Sequence, residues 1–353
     1  MLMTTHEKFT GYIGTYTKGD SKGIYSFTLD AANGKITDVK AAASLENPTY
    51  LTISKDNQYL YSVAKEGNSG GVAGYRILES KELSLINKQI SEGASPCHVS
   101  VNKDNSLLLS ANYHKGSADS YRLIPENGEI RAVVSSIFHE GSGPDERQEK
   151  AHTHYSGFTP DEKYAAVIDL GIDQLITYSL DNGKLVEKSI LNIAPGSGPR
   201  HLTFHPNGEY AYLMTEFSSE VLVLKYHSED GSFQQLQAVS TLPDDFKENN
   251  QGSAIHISSD GKFVYAANRG HDSIAVFEVK PGSFELSFVE HTSTEGNWPR
   301  DFVLDPSEKY LIASNQNSSN VVLYSRDKET GRLTLLDSEV KVPDPVCVKF
   351  LNY

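Results

Sequence analysis

The sequence predicts an all-β fold, a seven-bladed β-propeller with four-stranded antiparallel blades, its ring closed by a C-terminal strand that completes the N-terminal blade. Three observations predict it. A strand-turn-strand unit recurs along the 353 residues at spacings of 46 to 57, a period that in strand-rich repeats marks one blade of about four strands. The composition, with 19 Tyr, 14 Phe and 27 Gly and with Asn and Asp between short apolar runs, favours strands and turns over helices. The two chain ends each carry a different part of one further copy.

Near the start, TGYIGTY, GIYSFTLD and KITDVKAAA, residues 10 to 43, supply three strands of a copy that lacks its first. Full copies then open at Pro48, Pro96, Thr153, Pro199, Gly252 and Pro299, each with an aromatic residue or Leu eleven positions on: Tyr59, Leu107, Tyr164, Tyr210, Phe263 and Tyr310. Asp, Asn or Pro fills the turn between, as strand hairpins require. The copy at Pro199 shows a whole blade, GPRHLTFH, YAYLMTE, VLVLKYH and FQQLQAVS, with turns at Pro206-Asn207-Gly208 and Glu229-Asp230-Gly231. The last opening, at Pro345, reads PVCVKFLNY and ends with the chain. Its strand, near Val346 to Leu351, supplies what the first copy lacks and removes the exposed edges an open stack would leave. No linker remains between copies, so residues 1–353 read as one propeller domain.

A formal net charge of −14 argues against nucleic acid and against anionic membrane surfaces as partners, because both select basic surfaces. Cys97 and Cys347 stand far apart in a chain without export features and read as packing residues. The opening MLMTTHEKFTGYIG has no apolar core of signal-peptide length, and about 18 apolar residues nowhere run together. The expectation is a soluble cytoplasmic protein.

Two connections are longer than the rest, His139 to Ala151 and Leu242 to Gln251. Both join an outermost strand to the next innermost one and so lie on one face of the disc, where long loops of a repeat fold mark a binding face. On that rim two sets of residues meet. The positions after the repeat starts hold Thr49, Cys97, His154, Arg200, Ser253, Arg300 and Val346; the positions past the second strands hold Lys65, Tyr113, Leu170, Glu216, Arg269 and Gln316, with Tyr16 from the closing blade. Lys65, Arg200, Arg269 and Arg300 face one acid, Glu216, so the rim is cationic in an anionic chain and suits a small anionic ligand. The blander reading is that rim charges pair across blades, with Arg200 and Glu216 a structural ion pair. Against it, His154, Arg200, Glu216 and Arg269 come from consecutive copies.

Alternation along a strand points His152 and His154 to one side and turns His98 and His201 between the blades. His205 belongs to a turn. A zinc site on His152 and His154 lacks a third ligand of plausible placement. Neither a nucleophile elbow nor a P-loop is present; Gly-Ser-Gly at 141–143 and 196–198 reads as blade connections.

With IGTYT, NPTYLTIS, SPCHVSV, GPDERQEKAHTHYSGFTPDEKYAAVIDLGID, GSGPRHLTFHPNGEYAYLMTE, DGKFVYAANRGHDSIAVF and WPRDFVLDPSEKYLIASNQNSSNVV in this order, the chain resembles the seven-bladed propeller lactonases. That family includes 6-phosphogluconolactonases and fungal carboxymuconate cyclases. The resemblance spans nearly the whole chain. It implies an active site at the channel mouth with a histidine, two arginines and a glutamate, which fall on His154, Arg200, Glu216 and Arg269.

The resemblance further implies hydrolysis of 6-phosphoglucono-δ-lactone in the pentose phosphate pathway. Such a reaction needs a base to activate water, a partner for the oxyanion and an acid for the leaving oxygen, and requires no metal or organic cofactor. Glu216 or His154 is the expected base, Arg200 the oxyanion partner, and Arg269 the phosphate ligand, with Arg300, Lys65 and His152 as further substrate-binding residues. Asp169 and Asp173, next to glycine and turn positions, read as structural. Two rival classes stand beside this: a cycloisomerase or hydrolase of another acidic lactone, and a non-enzymatic propeller that binds a protein partner.

Overall fold

The computed structural model describes residues 7–353. Met1 to His6, on which part of the leader expectation rests, lie outside the described residues. Among the described residues the strands form seven four-stranded antiparallel sheets. The innermost strands are Leu51–Ile53, His98–Val101, Thr153–Phe158, Pro199–Phe204, Gln251–Ile257, Pro299–Leu304 and Pro345–Phe350, in blades one to seven. Each packs on the next around a ring, and the last packs on the first. Blade seven is built from both chain ends: Pro345–Phe350 pairs with Lys8–Thr15, from Gly11 opposite Phe350 to Gly14 opposite Cys347. No helix among the described residues is long and apolar enough to cross a membrane.

The sequence folds this way because the two middle strands of each blade are apolar on both faces. Tyr59 to Ala64 and Phe263 to Arg269 are buried along their whole length. A strand buried on both sides needs a neighbouring sheet on each side. The ring supplies it, with one hydrophobic cluster at each blade interface. Fully buried side chains such as Leu60, Phe277 and Leu323 each contribute about 1.5–3 kcal/mol. Outermost strands have only one neighbour, and their exposure alternates, as in Lys184–Asn192.

A β-bulge near the start of the innermost strands shapes the channel. In blade four Pro199 pairs with Thr215 and His201 with Met214, leaving Arg200 as the extra residue. His154, Arg300 and Val346 occupy the same place in blades three, six and seven. A bulge re-aims side chains and suspends the alternation of faces. Both His98 and His201 reach the channel, which corrects the expectation for His201 next to the bulge; His98 also keeps its expected bond to the neighbouring blade, its Nδ1 accepting from Ser156 N at 3.4 Å. The Tyr50 ring of blade one lies 5.7 Å from the His201 ring of blade four, and His98 lies 5.4 Å from His201. Rings from non-adjacent blades can meet only on the axis.

Candidate active site

A cavity of about 550 Å³ opens at the rim where the innermost strands begin. His154, Glu216, Arg269, Arg300 and Lys65 all line it, with Tyr16, Thr49, Cys97 and Tyr113 from the same rim positions. Arg200 does not reach this cavity. It lines a smaller one of about 30 Å³ deeper in the channel, together with His154, His201 and Arg300. Leu170 and Gln316 are buried away from both.

Glu216 sits between two guanidinium groups. Its Oε2 accepts from Arg200 Nε at 3.0 Å and lies 2.9 Å from Arg269 Nη2. Each arginine is also tied to backbone: Arg200 Nη1 donates to Ser253 O at 2.8 Å, and Arg269 donates to Gly252 O at 2.7 Å and Gln251 O at 3.3 Å. Gly252 makes the arrangement possible. A Cβ there would lie 2.2 Å from Thr215 O, so only glycine lets blade five approach close enough for its amide to bond Glu216 O at 2.9 Å. Burial pushes the Glu216 carboxyl up, but Arg269, Arg200 and Arg300 together hold it below its ordinary value. Burial and the neighbouring Arg269 push Arg200 down to about 9, with Glu216 opposing. The carboxylate is ionised and both guanidiniums are charged at neutral pH.

His154 is neutral there. Burial, then Arg200, Arg300 and Arg269, hold its imidazole well below 6.5. Its Nδ1 is buried without a hydrogen-bond partner among the described residues. Arg300 forms no ion pair among the described residues; its guanidinium stands 5.6 Å from the centre of the Tyr16 ring. Lys65 is half-committed, with Nζ 2.7 Å from Glu46 Oε1.

His152, expected to share a side with His154, stands outside the strand and outside the cavity lining. Strand alternation does not apply to it. Its ring stacks on Tyr113 at 4.1 Å, and its nitrogens contact Tyr113 O at 2.9 Å and Glu149 at 3.0 Å. Asp169 fixes the neighbouring backbone, accepting from His152 N and Gly171 N and holding His139 at 2.7 Å. Asp173 accepts from Gly196 N and Gly198 N. Of the two long connections, the second ends at Gln251 in the cavity wall, while the first contributes no wall residue but contacts one, Lys150 Nζ donating to His114 O at 2.7 Å. The Cys97 thiol, pushed up to about 11 by burial, stays protonated.

The sequence reading did not single out Trp298, Glu46, His114 or Gln251. Trp298, the one tryptophan of the chain, lines the cavity and stands 5.5 Å from Arg269. Its place immediately before a repeat start was the available signal. Glu46 had none, because its contact with Lys65 comes from an isolated bridge between the two backbones. Among the described residues no group of three or more His, Cys, Asp or Glu is placed to hold a metal ion.

Residues 10–350 match the family model described as lactonase, 7-bladed β-propeller. The chain is 56% identical over 346 residues to a 6-phosphogluconolactonase of Bacillus subtilis, covering 98% of this chain and 99% of that one. Among solved structures it is similar to a protein from Lactobacillus plantarum, with TM-score 0.94, 41% identity and coverage of 98% and 100%. It is also similar to a periplasmic gluconolactonase of Pseudomonas aeruginosa, with TM-score 0.92, 31% identity and coverage of 98% and 99%.

Proposed function

Because the chain belongs to the seven-bladed β-propeller lactonases, we propose that it hydrolyses 6-phosphoglucono-δ-lactone to 6-phosphogluconate, a step of the pentose phosphate pathway. The observation that carries the phosphate is Arg300, a cavity-lining guanidinium that forms no ion pair among the described residues. A guanidinium matches a phosphate bidentately, and Lys65 adds a second cation at the same mouth.

In this reading the lactone carbonyl lies between His154 and Arg269. The lone pair of neutral His154 takes a proton from water as the water oxygen bonds to the carbonyl carbon. Arg269 stabilises the negative oxygen that develops. When the tetrahedral intermediate collapses, the carbon–ring-oxygen bond breaks and the imidazolium returns its proton to that oxygen. Glu216 is the weaker candidate for base, since two guanidiniums hold its Oε2; it orients the arginines instead. Arg200, absent from the main cavity lining, braces Glu216 from behind. Substrate binding itself strengthens the base: a phosphate on Arg300 offsets one of the charges that depress His154.

A second reading, supported by the name of the Pseudomonas aeruginosa relative, is an unphosphorylated sugar lactone. A substrate panel separates the two. The proposal predicts about 100-fold higher kcat/KM for the phosphorylated lactone, the value of two charge-assisted hydrogen bonds. Equal rates for gluconolactone would favour the second reading, and turnover of a muconolactone alone would move the chemistry to the cyclase branch. A phosphorylated lactone does not cross membranes unaided, so the proposal places the enzyme with its substrate in the cytoplasm.

A further inference from the structure

Beneath the main cavity, the inner cavity of about 30 Å³ has His154, His201, Arg200, Arg300, Tyr50 and Asp301 among its lining residues. Two of the buried ring nitrogens on its walls lack a hydrogen-bond partner among the described residues, His154 Nδ1 and His201 Nε2. The two rings are 5.2 Å apart between centroids at 63°, and no direct hydrogen bond joins them. A buried polar atom left unsatisfied is costly, so a partner is expected for both. A space of this size exceeds the ~10–15 Å³ that one water needs.

We propose that His201 is a positioning residue for His154: through one water in the inner cavity it accepts the hydrogen bond chain that starts at His154 Nδ1–H, which leaves the His154 Nε2 lone pair for the substrate. The inference rests on the reading of His154 as base. A base held by a third group is the general logic of activated nucleophiles and bases, and in this site the third group acts through solvent.

Thr49, Tyr16, Tyr50 and Asp301 also bring acceptor oxygens to the walls, but of the lining side chains only His154 and His201 hold a buried polar atom with no partner among the described residues. Arg200 and Arg300 only donate. Asp301 Oδ2 already accepts from Val348 N at 2.9 Å, and its Oδ1 faces His256 Nε2 at 3.7 Å. Tyr50 OH is engaged by Lys349 Nζ at 3.4 Å. His201 Nε2 remains. Burial and Arg200 keep both imidazoles well below 6.5, so each carries one proton and one lone pair, as the bridge requires. The water accepts from His154 Nδ1–H, donates to His201 Nε2, and has guanidinium donors beside it, within the two to four partners that buried waters make. The bulge that turns His201 onto the axis is what brings it under His154.

The test is nitrogen-15 NMR of the histidine side chains in the full-length protein, with the His154 signal identified by its loss in His154→Asn. The expected result is a proton on Nδ1 of His154. In His201→Phe, which keeps a ring in the channel but removes the acceptor, the proton moves to Nε2 and kcat falls about 10- to 100-fold at nearly unchanged KM. In His201→Gln, whose carbonyl can accept, kcat recovers most of that loss. A wild-type His154 protonated on Nε2, or a His201→Phe protein with wild-type kcat, overturns the proposal. Should His201→Phe fail to fold, the wild-type tautomer alone decides. The tautomer reads the proton whether or not the lactone is the substrate: Nδ1–H in a protein inactive on lactones would sink the functional reading and leave the positioning of His154 standing.

Discussion

Removing the Arg300 side chain tests the phosphate site at its simplest. Arg300→Met is expected to raise KM for the phosphorylated lactone about 100-fold and to leave an unphosphorylated lactone within about twofold; steady-state kinetics on both substrates checks it. Glu216 behaves differently, because the fold depends on it. Glu216→Gln leaves Arg200 and Arg269, both buried, without their carboxylate. Breaking a buried charge pair costs about 3–5 kcal/mol, and denaturant unfolding should find most of it. The pH dependence follows from His154. Its pKa lies below 6.5 in the free protein, so the base form persists as pH falls through 6.5, and Glu216, held low by its arginines, also stays ionised. The profile of kcat/KM, which reports free-enzyme ionisations, should therefore remain level through 6.5 and fall only below it. An unphosphorylated lactone is the substrate to use, because a phosphate monoester itself titrates near pH 6.

Among the elements, the C-terminal strand carries the sharpest expectation. Pro345–Phe350 supplies the innermost strand of blade seven, and Val348 and Cys347 are fully buried. A chain ending at Asp344 would expose the edge of Lys8–Thr15 and open the ring. It should lose cooperative thermal unfolding by circular dichroism, whereas an unchanged transition would mean that closure contributes little. This strand was legible in the sequence, since counting copies left one blade short at each end. The bulges were not. Every innermost strand reads as a plain alternating strand, and the extra residue at Arg200 or His154 shows only in the pairing with the second strand. That is why His201 looked like an inter-blade residue and why the inner cavity stayed invisible. His152 was misplaced for a related reason: it precedes the strand whose alternation was applied to it.

Over the whole molecule, seven similar packing problems impose seven similar sequences, so a repeat fold prints its architecture at every copy. A site made once, from single residues of different blades, leaves a fainter trace. The cationic rim was visible as a reversal of sign against a net charge of −14. The partners that decide its chemistry were not: Glu46 neutralises Lys65, Glu216 occupies Arg200 and Arg269, and Arg300 alone of these cations is left without an ion pair among the described residues. The central claim is that this mouth hydrolyses a phosphorylated sugar lactone with His154 as base. The direct measurement is the ring opening of 6-phosphoglucono-δ-lactone, formed in situ at or below neutral pH and followed as 6-phosphogluconate, for the wild-type protein beside His154→Asn. The account predicts strong acceleration by the wild type and a loss of about 100-fold or more in a folded variant. A wild-type protein that leaves the spontaneous rate unchanged, or a His154→Asn protein as fast as the wild type, would contradict it.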